Sequence, residues 1–262
     1  MYSFLIISLL YGIAAAQQTI DGQGSCSCSG ALGIDFQWGG VEAKLDDIIA
    51  SIGAQALDPE WQLVFKAVSG IAPTDSTDQE RIDPYYVWSR DEPLNENVPA
   101  ARQLDTTFQG HYKSSFALNW ERRNIKEVKV AYMDSTGTEL MTMVFDAEGS
   151  DRDNWFTKDR VLSSPYDDMI SEPHPHIFST VGDTNHNRRF FINRSYGGCG
   201  VDAGWAIVVG KNPPPCSWEH PSTAKPTFLY SNKRTVITWS NVGDVGQADL
   251  FAIFVRTKSR YR

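Results

Sequence analysis

Apolar and polar positions alternate differently in two parts of the chain. Near the N-terminus Val41, Leu45, Ile48, Ile49, Ile52 and Ala56 recur at offsets of three and four, with Glu42, Lys44, Asp46 and Asp47 between them. This amphipathic stripe predicts a helix over 41–57, ended by Asp58-Pro59, and it is too short for a coiled coil. From Trp61 the period shortens to two. Trp61 to Val68 is a β-prone run closed by Ser69-Gly70. Glu127 to Met133 and Thr138 to Phe145 flank Asp134-Ser135-Thr136-Gly137, the pattern of a β-hairpin. Arg189 to Asn193, Trp205 to Gly210, Thr227 to Tyr230, Thr235 to Trp239 and Ala248 to Arg256 complete the expected strands. Residues 71–105, with Pro73, Pro84, Pro93 and Pro99, read as a long loop with short local structure. The expected fold is mainly β, a β-sandwich or jelly-roll-like domain with an α+β variant left open, over 61–257 behind one N-terminal amphipathic helix.

The ends carry other signals. Residues 1–16 are uncharged, hold apolar runs from Phe4 to Ile13 and close on Ala14-Ala15-Ala16, which reads as a secretory signal peptide lacking the usual basic start. No later stretch approaches the roughly 18 apolar residues that cross a bilayer, so a secreted, extracellular chain with no membrane span is expected. Residues 17–40 are rich in Gly, Ser and Cys and read as a flexible segment; residues 258–262 form a basic tail.

Charge refines this picture. The 262 residues have a net charge of −8. Five basic and fifteen acidic residues up to Gly110 give −10, and nineteen basic against seventeen acidic afterwards give +2. An acidic front is the opposite of what phosphate neutralisation requires, so nucleic acid is not an expected partner.

Four cysteines suit an oxidising compartment. Gly200, Gly204, Gly210 and Pro213 to Pro215 let the chain reverse between Cys199 and Cys216, favouring that pair. Cys26 and Cys28 would close only a strained ring and are expected to pair elsewhere, including with a second chain as a disulfide-linked oligomer. Asn193-Arg194-Ser195 is a glycosylation sequon.

Candidate chemistry is sparse. Asp183-x-Asn185-x-Asn187 imitates the opening of a calcium loop, but Arg188 stands where the sixth position needs Gly and Arg194 where the twelfth needs Glu, so an EF-hand is excluded. His174-Pro175-His176 lies near Glu172, Asp167 and Asp168 without a countable ligand set. Asp146, Glu148, Asp151 and Asp153 follow an apolar strand and form the candidate calcium site; no other cofactor is expected. Hydrolase and phosphate-loop signatures are absent from the sequence, and the chain is read as a non-enzyme. Of the eight tryptophans, Trp88, Trp155 and Trp218 sit in polar company and are the candidate ligand-binding rings.

Trp61-Gln-Leu-Val-Phe-Lys-Ala-Val-Ser-Gly70, Asn154-Trp-Phe with Arg160-Val-Leu-Ser-Ser164, and Arg188 to Trp205 with Ala248 to Val255 occur in this order. Together they resemble an extracellular module of secreted marine-invertebrate proteins, including uncharacterised proteins of shell or coral skeletal organic matrix. Tyr196-Gly-Gly-Cys199 with the downstream Cys216-x-Trp-Glu219 is the most specific part. The helix leading into a Trp-containing strand also faintly echoes fibrinogen-like lectin domains. The resemblance implies a secreted matrix protein with a structural or interaction role, linked with biomineralization, whose partners are other matrix proteins or polysaccharide. The alternative expectation is a soluble, lectin-like carbohydrate-binding module assisted by calcium.

Overall fold

The computed structural model describes the backbone of 18–20, 26–29 and 35–37, and residues 61–73, 82–173, 175–210, 215–219 and 224–257 in full. The expected signal peptide, the helix over 41–57, the basic tail and the pairing of Cys26 and Cys28 lie outside the described residues. The chain divides into two units, Met1–Leu57 and Asp58–Arg262.

In the first unit β1 (Gln18–Ile20), β2 (Cys26–Ser29) and β3 (Asp35–Gln37) form a three-stranded antiparallel sheet. The segment expected to be flexible thus contains strands. Its composition obscured them, because a stretch rich in Gly and Ser carries no regular alternation of apolar and polar positions.

The second unit is mainly β and holds two antiparallel sheets. Its elements are β4 (Gln62–Val68), β5 (Ala72–Pro73), helix α1 (Pro84–Ser89), β6 (Tyr112–Lys113), β7 (Ile125–Met133), β8 (Glu139–Asp146) and β9 (Val161–Ser163). They continue with β10 (Ile177–Ser179), β11 (Arg188–Ser195), β12 (Ala203–Val209), β13 (Ala224–Lys225), β14 (Thr227–Ser231), β15 (Ile237–Thr238), β16 (Val245–Ala248) and β17 (Leu250–Thr257). One six-stranded sheet runs β6-β4-β17-β7-β8-β9; the other runs β10-β11-β12-β14-β16, with β15 also paired to β12.

Side-chain alternation explains where the core sits. Phe251, Ile253 and Val255 of β17 join Trp205, Ala206 and Val208 of β12 in one buried cluster shared by the two sheets. Leu250, Ala252 and Phe254 belong to a cluster on the other face of the first sheet, and Ile207 and Val209 to one on the other face of the second. Strands covered on both faces become nearly continuous apolar runs, which is why β12 and β17 read so strongly in the sequence.

The expected hairpin is β7–β8. Asp134 holds its turn by accepting from the Thr136 and Thr138 amides, each at 2.9 Å, while Gly137 takes φ 84°. The run Ala248–Arg256 differs from expectation. It breaks at Asp249, so Ala248 pairs with Phe228 in one sheet and Leu250 pairs with Val68 and Met133 in the other.

Candidate functional site

The residues of the most specific motif converge around the β11–β12 hairpin. Arg188 opens β11 with only 2% exposure. Its Nε donates to Glu219 Oε1 at 2.7 Å and its Nη1 to Asp202 Oδ2 at 3.1 Å. The guanidinium also lies over the rings of Trp218 and Tyr196, at 4.9 and 5.2 Å from their centroids. Each carboxylate has further work. Asp202 Oδ1 accepts from the Gly197 and Gly198 amides at 3.0 and 2.9 Å, and Glu219 Oε2 accepts from the Cys216 amide at 2.8 Å. The buried Lys225 donates to the Glu219 carbonyl at 2.5 Å; burial pulls its ammonium down to about 8 against the opposing charge of Glu219. A disulfide joins Cys199 to Cys216, the pairing favoured by the intervening sequence, with Cα atoms 5.3 Å apart.

These residues act as an internal clamp. A buried guanidinium is tolerable only when paired and hydrogen-bonded, and Arg188 meets a carboxylate from each of two loops. The Gly-Gly of the motif lets consecutive amides face Asp202, with Gly198 at φ 116°. Arg188, Asp202 and Glu219 were not singled out in the sequence. The only signal was their place within the motif, since three ordinary charged letters do not announce burial.

A smaller polar cluster sits beside the clamp. Asp183 and Arg188 exchange backbone hydrogen bonds of 2.8 and 3.0 Å, closing a tight turn with Asn187 at φ 50°. Asp183 Oδ1 accepts from the Asn185 amide at 2.9 Å, while its Oδ2 meets His186 Nδ1 at 2.6 Å and the Tyr196 hydroxyl. His186 Nδ1 and Tyr196 Oη are 2.8 Å apart, and the His176 ring stacks on Tyr196 at 5.7 Å. Burial and the bond to Asp183 push the Tyr196 phenol up to about 12. Burial opposes ionisation of Asp183, yet the donors Tyr196 and His186 outweigh it and hold the carboxyl below its usual range.

The acidic candidates are placed differently. Asp146 Oδ1 accepts from the Glu148 amide at 2.9 Å. Asp151 accepts from the amides of Asp153 and Asn154, both at 2.8 Å, and from Asn154 Nδ2 at 2.7 Å. These carboxylates cap turns, and burial raises the carboxyl of Asp153 despite the neighbouring Arg152. Among the described residues no group of three or more His, Cys, Asp or Glu side chains is arranged to hold a metal ion. Beside this cluster lies a cleft of about 390 Å³ bordered by Trp120, Glu121, Asn124, Glu148 and Ser150.

Two expectations need correction. Trp88 and Trp155 are fully buried and Trp218 is 3% exposed, so none presents a ring face to a ligand. Trp88 packs edge-on against Phe65, Trp120 and Trp155, and Trp218 stacks on Trp239 at 5.5 Å. Polar sequence neighbours misled here because they lie on a short helix, a turn and a single 3-10 turn around rings that point inward. Asn193 is also fully buried in β11, its Nδ2 donating to the Ser195 carbonyl at 2.9 Å. The folded chain therefore does not present that nitrogen to a glycan, since a sequon reports letters and not exposure.

No protein-family model, curated protein or solved structure matches the chain. Among the described residues, no helix is long and apolar enough to cross a membrane.

Proposed function

We propose that the chain is a secreted structural or interaction protein of an extracellular matrix, of the shell or skeletal organic type. The observation that carries this reading is the clamp: a disulfide and a buried ion network tie the exposed Gly197–Gly200 loop to the Cys216–Glu219 segment. Covalent fastening of surface loops suits an oxidising exterior, where disulfides persist. The acidic composition up to Gly110 and the Cys26-x-Cys28 pair add negative charge and a route to cross-linking. We read the two sheets with their shared core as a β-sandwich, a rigid body for such an assembly. Proteomics of demineralised matrix tests the proposal. Enrichment there is expected; abundance in body fluid with absence from matrix overturns it.

The cleft bordered by Glu121, Asn124 and Glu148 favours a second reading, a lectin-like module, since carboxylates and amides are groups that hydrogen-bond sugar hydroxyls. A glycan array run with and without calcium tests it, and signal no higher than background rejects it.

A further inference from the structure

We propose that Cys199 is a modification site at which a low-molecular-weight thiol opens the Cys199–Cys216 disulfide and stays attached as a mixed disulfide. The proposal goes beyond the matrix reading and depends only on the surroundings of the two sulfurs. Those surroundings are unequal. Cys199 is exposed between Gly198 and Gly200, and a Cβ placed on either glycine would meet no atom within 4 Å. Cys216 is 3% exposed and belongs to an apolar cluster with Trp218, Phe191 and Val209. A thiolate must reach one sulfur and displace the other. Access from water therefore selects Cys199 as the attacked sulfur and Cys216 as the leaving one.

The leaving sulfur has a donor beside it. Arg188 commits Nε to Glu219 and Nη1 to Asp202, and Nη2 lies 3.2 Å from Cys216 Sγ. Asp202 and Glu219 balance the guanidinium charge, so its aid to the sulfur is a directed hydrogen bond and not a positive field. Such a bond strengthens as the acceptor gains negative charge, and a thiol whose thiolate is stabilised leaves faster.

The fold also holds both partners once the link is open. Glu219 Oε2 keeps the Cys216 amide at 2.8 Å. On the other side Asp202 Oδ1 accepts from the Gly197 and Gly198 amides, and the Gly198 carbonyl accepts from the Val201 and Asp202 amides, each at 2.9 Å. In the exchange step the thiolate sulfur bonds to Cys199 Sγ while the Cys199–Cys216 bond breaks. Its electron pair passes to Cys216 Sγ, which then takes a proton from water. One disulfide replaces another, so the step consumes no oxidant or reductant.

The test incubates the full chain with glutathione, quenches in acid, alkylates free thiols and maps the peptides by mass spectrometry. Glutathione on Cys199 with the alkylating group on Cys216 is expected, in at least about tenfold excess over the reverse arrangement, because access decides which sulfur is attacked. In denaturing urea that preference should vanish. Arg188→Lys, which loses the planar fork, should slow the opening several-fold at unchanged site preference; circular dichroism checks its fold, and if it unfolds the wild-type site preference alone decides. Adducts divided evenly between the two cysteines in the folded chain, adducts on Cys216, or none until urea unfolds it overturns the proposal and leaves a purely structural link.

Discussion

His111 shows how one buried side chain couples stability to pH. It is 1% exposed, its Nδ1 accepts from the Val68 amide at 3.1 Å, and its Nε2 faces the Ile82 carbonyl at 3.4 Å. That arrangement needs the neutral ring, and burial drives its pKa down to about 4. The unfolded histidine titrates near 6.5, so between the two values the unfolded chain binds more protons and stability rises with pH and is lost on acidification. The contribution is complete above pH 6.5 and its loss, about 3 kcal/mol, finishes near pH 4. Urea titrations at pH 7, 6 and 5 should show the midpoint falling, with a flatter trend in His111→Gln. Arg188 makes a second case. Asp202 and Glu219 are 1% and 0% exposed, so Arg188→Leu strands two buried carboxylates and should lower stability by about 3–5 kcal/mol. Urea unfolding should also show partial recovery when Asp202→Asn and Glu219→Gln are added; no recovery would mean that the ring contacts, not the charges, dominate.

Helix α1 illustrates an element completed by distant residues. Its start is local: Asp83 Oδ1 accepts from the Tyr85 and Tyr86 amides at 2.8 and 3.2 Å, and Pro84 needs no amide partner. Its end is not local. Lys113 donates to the carbonyls of Val87, Trp88 and Arg90, and Arg152 donates to those of Ser89 and Arg90. Lys113→Met should expose unpaired carbonyls and cost about 2–3 kcal/mol, measured by thermal unfolding. A six-residue helix shows no hydrophobic period, so it lay hidden within the loop expected over 71–105. The β7–β8 hairpin was readable because its alternation and its turn residues are neighbours in the chain. The break at Asp249 was not: its amide donates to the Met133 carbonyl and its own carbonyl accepts from Ser69, both remote partners.

For the second unit as a whole, the Cys199–Cys216 link closes a loop spanning 17 positions. Chain entropy assigns it about 3 kcal/mol, so the Cys199→Ser, Cys216→Ser double variant should unfold at correspondingly lower urea while keeping its circular dichroism spectrum. An unchanged midpoint would leave the Arg188 network as the sole fastening. The sequence by itself determined the β-rich character, the longer strands and the hairpin, and favoured this cysteine pair, because local alternation and turn chemistry carry them. Tertiary structure alone decided which aromatic rings are core and that Asn193 is inside. It also decided that Arg188, Asp202 and Glu219 meet, and that Asp183, His186 and Tyr196 face one another. Burial and convergence depend on strand pairing across the fold, and no local pattern of residues records which remote side chains that pairing brings within a few ångströms.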